Sequence, residues 1–132
     1  MSVVFTNGCF DVLHRGHVEL LRFCKSKYPD HKLVVGVNSD DSVKRLKGKN
    51  RPINNIGDRV FLLESIRYVD EVIVFSEDTP YNLIRKVNPD IIVKGGDYQP
   101  EDVVGNDLCD VVIFNYVKGY STTKTIQDLS SR

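Results

Sequence analysis

The chain has 132 residues, 18 Lys plus Arg against 18 Asp plus Glu, and a hydrophobic share of 41%. Those figures fit one ordinary globular domain; they exclude a disordered chain, a bilayer-crossing helix and the broadly basic surface of a nucleic-acid binder. Cys9, Cys24 and Cys109 are odd in number and widely spaced, and Met1-Ser2-Val3-Val4-Phe5 lacks the basic flank and long apolar core of a signal peptide, so the expected compartment is the cytoplasm.

In chain order, Val3-Val4-Phe5-Thr6 is the first short β-branched run. Leu20, Leu21 and Cys24 follow at helical spacing, then the run Lys32 to Val37. Val60, Leu63 and Ile66 predict a second helix, Glu71 to Phe75 another strand, and Leu83, Ile84 and Val87 another helix. Ile91 to Lys94 and Val111 to Phe114 complete the strands, and Gly48 to Asp58 is the most irregular part. Runs this continuous suit strands buried on both faces. Their alternation with helices predicts a single α/β domain, Rossmann-like and doubly wound, with a five-stranded parallel sheet flanked by helices. Ligands of such folds sit beyond the carboxyl ends of the strands, which directs attention to Asn7 to His17, Asn38 to Lys47, Gly95 to Tyr98 and Asn115 to Thr123.

Two of the three histidines flank Gly16 where the first crossover helix opens. His14 and His17 are three apart, so both imidazoles project to one side of a helical turn. Gly16 lets a phosphate approach the backbone amides at the positive end of the helix. A capped helix with two surface histidines is the plainer alternative. A zinc site from Cys9, His14 and His17 lacks a fourth ligand or paired cysteine spacing. A Walker A loop and a Gly-x-Gly-x-x-Gly fingerprint are both absent, which lowers kinase, ATPase and dehydrogenase readings.

Elsewhere the signals are double. Lys44, Arg45 and Lys47 read as a solvated helix face or as a segment that closes over phosphates. Asp11 and Asp97 are placed at strand ends to meet Mg²⁺ or the acceptor, with turn capping as the alternative for Asp97. Arg59 and Arg67 read as phosphate contacts or as partners of acids. Ser121, Thr122 and Thr123 after Gly119 offer either an N-cap or a phosphate site.

Gly8-Cys9-Phe10-Asp11, His14-x-Gly16-His17, Arg67-Tyr68-Val69-Asp70-Glu71-Val72 and Gly119-Tyr120-Ser121-Thr122-Thr123 stand in an order that resembles the HxGH nucleotidyltransferase superfamily, in its cytidylyltransferase-like group. Within it, Leu46-Lys47-Gly48, Arg51-Pro52-x-Asn54, Ser76 to Pro80 and Val93-Lys94-Gly95-Gly96-Asp97-Tyr98 are most similar to the adenylyltransferase domains that act on heptose 1-phosphate. Glycerol-3-phosphate cytidylyltransferases come next, but commonly carry Arg-Thr-Glu-Gly where this chain has Tyr116-Val117-Lys118-Gly119.

The resemblance implies a single nucleotidyltransferase domain over residues 1–132 that takes ATP, with Mg²⁺, and a phosphorylated sugar or polyol, and that forms a homodimer through the Arg67 to Val72 region. It implies catalytic roles for His14, His17 and Lys47. Nucleotide contacts fall to Thr6, Asn7, Gly8, Cys9, Phe10, Gly16, Lys44, Gly95, Asp97, Tyr116, Gly119, Tyr120, Ser121, Thr122 and Thr123, and acceptor contacts to Asp11, Lys44 and Arg59. A phosphomonoester with a second pKa of about 6 is largely ionised at neutral pH, so the attacking group needs no general base. The histidines are then expected to donate hydrogen bonds to the phosphoryl group as charge builds. A CTP-dependent enzyme, an idle nucleotide-binding module and a metal-dependent hydrolase stay open as alternatives.

Overall fold

Each apolar run becomes a strand in the computed structural model, which describes residues 2–115. The strands are β1 (Val3–Gly8), β2 (Lys32–Asn38), β3 (Glu71–Phe75), β4 (Ile91–Gly95) and β5 (Asp110–Phe114). All pairings are parallel, in the order β3-β2-β1-β4-β5. Helices α1 (Arg15–Lys27), α2 (Asp40–Lys47), α3 (Ile56–Glu64) and α4 (Tyr81–Val87) lie between strands, and a 3₁₀ turn covers Pro100–Asp102.

Alternation along each strand divides the core between the two sheet faces. Val4, Leu33, Val35, Val37 and Val93 pack with Leu20, Leu21 and Cys24 of α1 and Leu63 of α3. Their neighbours Phe5, Val34 and Ile92 pack with Leu83 and Ile84 of α4 and with Phe75 and Val103. Strands clothed on both sides explain why the runs are nearly continuous in hydrophobicity. Among the described residues, no helix is long and apolar enough to cross a membrane.

The basic stretch divides into two parts. Residues 40–47 form α2, because Ser39 caps it by accepting from the Ser42 amide and Asp40 and Asp41 occupy its first turn. Irregular chain follows from Gly48, whose φ is +108°, until Asn55 caps α3 by accepting from the Asp58 amide. Helix α2 is tied to the end of β3, where Arg45 bonds Asp78 and the Ser76 carbonyl and the Ser42 hydroxyl donates to the Glu77 carbonyl.

The chain runs outward from β1 through β2 to β3, then returns across β1 to β4 and β5. The reversal falls between β1 and β4. There the ladder pairs Val4 with Ile91 and Phe5 with Ile92 and goes no further, so the strand ends separate into a crevice. This is the topological switch point at which such sheets take ligands.

Candidate active site

A cavity of about 640 Å³ opens at the carboxyl ends of the strands. Asn7 and Gly8 of β1, Asn38 of β2, Phe75 of β3 and Gly95 of β4 all reach it. Its wall carries His14, His17, Lys47, Arg51 and Lys94 together with the carboxylates Asp11 and Asp78, and Leu46, Pro80 and Val104 give it an apolar part.

The turn from β1 to α1 is held in a strained form. Phe10 sits in the left-handed region at φ +48°, its ring within 3.3 Å of where a Cβ on Gly8 would fall. A non-glycine residue there costs of order 1 kcal/mol and persists only where surroundings enforce it. Here the enforcement is burial, since Phe10 is 4% exposed and its ring lies 5.3 Å from that of His17.

His14 is the N-cap of α1 rather than part of its first turn, with φ −140° and ψ 178°. Its Nδ1 accepts from the Gly16 amide at 3.0 Å, and the Nδ1 of His17 accepts from the His14 amide at 3.2 Å. The two imidazoles thus form a reciprocal capping box, a role usually filled by Ser or Thr with Glu or Gln. Their rings stack with centroids 3.9 Å apart. Because both Nδ1 atoms are acceptors, each neutral ring carries its proton on Nε2. Burial pushes His17 down to about 3, the His14 ring adding to the effect, and burial also lowers His14. At neutral pH the pair is therefore a set of uncharged N–H donors. Such groups stabilise developing negative charge without having to lose a proton.

On the opposite wall, burial lowers the Lys94 ammonium, the Lys47 charge acting in the same direction, and its Nζ lies 5.3 Å from the Tyr98 ring centroid. Burial raises the Cys9 thiol even against the nearby Lys47, Arg59 and Arg51 charges, so it stays protonated. Lys47 itself is solvent-exposed at the end of α2.

Two residues expected to contact the acceptor carry structural bonds. The Asp11 side chain has no solvent exposure; it accepts from Arg51 Nε at 2.6 Å, from the Ile53 amide at 2.8 and 2.9 Å and from the Asn54 amide at 2.9 Å. Burial alone would raise its carboxyl, but the Asn54 and Ile53 amides and Arg51 outweigh that and hold it below its ordinary value. Asp11 lines the cavity with its oxygens already engaged by Arg51 and the Ile53 and Asn54 amides.

Arg59 is likewise fully buried. Its Nε donates to the Asn54 carbonyl at 3.0 Å, Nη1 to the Cys9 and Asn38 carbonyls at 2.8 and 2.7 Å, and Nη2 to Asp40 at 2.7 Å. It clamps the turn after β1, the end of β2 and the approach to α3 from behind, and does not itself line the cavity. Arg67 lies outside the site, stacked 5.0 Å over the Tyr68 ring.

Other expectations divide. His14, His17, Lys47, Asn7, Gly8, Cys9, Phe10 and Gly95 line the cavity. Thr6 is buried within β1, Gly16 is buried with its amide given to His14, and Lys44 and Asp97 are exposed outside the cavity wall. Tyr116, Gly119, Tyr120, Ser121, Thr122 and Thr123 lie outside the described residues. Among the described residues, no cluster of His, Cys, Asp and Glu suited to a metal ion forms. Arg51 and Phe75 join the wall without having been singled out for a site role, and Lys94 and Asn38 do so from segments already marked as ligand-facing. Lys94, Asn38 and Phe75 stand at strand carboxyl ends, so the rule that selected Asn7 also applies to them.

Fold and site together define an α/β phosphate-handling domain with a neutral histidine pair at its switch point. Residues 5–131 match the family described as cytidylyltransferase-like, and the chain belongs to that family. It is 55% identical over 130 residues to "Bifunctional protein HldE" of a Nitratiruptor species, covering 98% of this chain and 28% of that protein. It is 52% identical over 127 residues to the protein of the same name from Aliarcobacter butzleri, covering 96% and 26%. The chain thus spans about a quarter of the length of these curated relatives. Among solved structures, the lipopolysaccharide core biosynthesis protein from Thermoplasma volcanium is 30% identical with a TM-score of 0.71, covering 92% of this chain and 99% of that one.

Proposed function

We propose that this domain transfers AMP from ATP to a sugar 1-phosphate, heptose 1-phosphate in particular, giving an ADP-sugar and pyrophosphate. The observation that carries the reading is the stacked His14 and His17 pair, each fixed through Nδ1 and facing a cavity whose other wall holds Lys47 and Lys94. Family membership supports nucleotidyl transfer. Preference for ATP and a heptose phosphate rests on the motif resemblance, on relatives bearing the name HldE and on a structural neighbour titled for lipopolysaccharide core biosynthesis.

In this reaction a phosphate oxygen of the acceptor attacks the α-phosphorus of ATP, the new P–O bond forms as the bond to the bridging oxygen breaks, and pyrophosphate leaves with the electron pair. The acceptor phosphate is already ionised near neutral pH and gives up no proton to the protein. The histidine Nε2–H groups meet the charge that grows on the phosphoryl oxygens, and Lys47 stabilises the leaving pyrophosphate. Mg²⁺ would accompany ATP as its counter-ion and would neutralise charge on the phosphates. The cytoplasm, where ATP is available, is the compartment this reading requires.

The same reading makes the chain a homodimer through the Arg67 to Val72 region. Support comes from β3 standing at the sheet edge, where backbone groups are open to pairing, and from exposed Val74. Light scattering reads the mass directly.

The experiment that tests the activity is a matrix of nucleoside triphosphates against phosphorylated acceptors, with and without Mg²⁺, read by mass spectrometry for the nucleotide-linked product. ADP-heptose from ATP and heptose 1-phosphate is expected. Turnover with CTP alone, or release of free phosphate without a joined product, overturns the proposal.

A further inference from the structure

We propose that Arg51 is the receptor for the acceptor's phosphate, with Asp11 as the residue that positions it; the inference rests on the adenylyl-transfer reading above. Arg51 lines the cavity, its side chain is 14% exposed, and Asp11 grips it only at Nε. Neither Nη atom has a hydrogen-bond partner among the described residues. A guanidinium held this way presents its two terminal nitrogens as a planar fork, the geometry that matches two oxygens of a phosphate.

The grip is rigid. The Asp11 carboxylate is buried and also accepts from the Ile53 and Asn54 amides, while Asn54 Nδ2 returns a bond to the Asp11 carbonyl at 2.8 Å. Arg51 is thereby fixed to the turn after β1, although it belongs to the irregular connection after α2.

Position assigns this fork to the acceptor rather than to ATP. The strands part between β1 and β4, and the histidine pair opens α1 beyond β1, so the triphosphate belongs to that side. Arg51 belongs to the segment between α2 and α3, which Arg59 ties to the end of β2 through the Asn54 and Asn38 carbonyls. An in-line attack needs the acceptor to approach opposite the departing pyrophosphate. A cation flanking the cavity away from the β1 and β4 gap suits the attacking phosphate.

The test compares the parent protein with Arg51→Lys, which keeps the charge and loses the fork, in steady-state kinetics with ATP and heptose 1-phosphate varied separately. The KM for heptose 1-phosphate should rise on the order of ten- to a hundred-fold, as expected for lost charge-assisted bonds, with the KM for ATP within about twofold of the parent value. A rise confined to the KM for ATP, or no change in either, overturns the assignment. A second measurement needs no variant: peptide mapping after phenylglyoxal treatment of the parent protein. Heptose 1-phosphate should protect Arg51 and ATP should not; absence of protection, or protection by ATP alone, overturns the assignment. If the parent protein joins no acceptor to any nucleotide, the adenylyl-transfer reading fails, and protection of Arg51 by inorganic phosphate still decides whether the fork receives phosphate.

Discussion

Replacing Arg59 with Met separates a clamp from a ligand. The substitution keeps much of the side-chain volume but strips donors from the Cys9, Asn38 and Asn54 carbonyls and leaves the Asp40 carboxylate unpaired. Asn38 is buried and Asp40 keeps 34% side-chain exposure, so the carbonyls bear most of the loss. At about 1 to 3 kcal/mol for each buried acceptor left unmade, with partial rescue by water at the more open ones, the total is about 4 kcal/mol. Against a whole-domain stability of roughly 5 to 15 kcal/mol that is a large fraction, and at about 3 to 5 °C per kcal/mol it lowers the midpoint by roughly 12 to 20 °C. Thermal unfolding followed by circular dichroism at pH 7 measures it, with the calorimetric enthalpy checking that the transition stays two-state. An Arg59→Met protein that melts within about 3 °C of the parent but shows a raised KM for the acceptor refutes the clamp and restores the ligand role.

His14→Asn should keep the helix cap, since asparagine is among the best N-cap residues, while transfer falls on the order of a hundred- to a thousand-fold; parallel melting and turnover measurements check it, and near-normal turnover contradicts the donor role. Acid should destabilise the fold through His17. Its pKa of about 3 in the folded protein lies below the unfolded value near 6.5, so its contribution is complete above pH 6.5 and is lost as pH falls from 6.5 towards 3. Between pH 6.5 and 5 that is about 2 kcal/mol, read from urea unfolding, and His17→Gln should flatten the slope in this window. Gly36→Ala should cost about 1 to 3 kcal/mol, because the added Cβ would meet Phe5 Cζ at 2.8 Å and Leu83 Cδ2 at 3.1 Å; an unchanged melting temperature would show that the α4 face has slack.

The sheet was legible because strands covered on both faces must be apolar almost without interruption, as Leu33 to Val37 are, and because β-branched runs alternating with helical spacing admit few other arrangements. The meeting of His14 and His17 was legible too, since residues three apart at a helix start are neighbours whatever the remainder does. Their tautomer was not: it depends on Nδ1 bonds to the Gly16 and His14 amides, which exist only because His14 stands at the cap rather than inside the helix. Asp11 and Arg59 look like ligands on paper, because a charged side chain at a strand end or in a helix beside a site reads the same whether it faces solvent, substrate or carbonyls.

What the chain determines by itself is local: strand and helix periods, the histidine pair at the opening of α1, and a family resemblance carried by short motifs. What only the tertiary structure decides is which charges are already spent. Asp11 and Arg51 are 40 positions apart, and Arg59 reaches back 50 positions to the Cys9 carbonyl. Contacts across such separations leave no spacing signature, because they arise from how β1, β2 and the α2 to α3 connection converge on one cavity. That convergence engages the Asp11 carboxylate and the Arg59 guanidinium in structural bonds and brings Arg51 to the cavity wall.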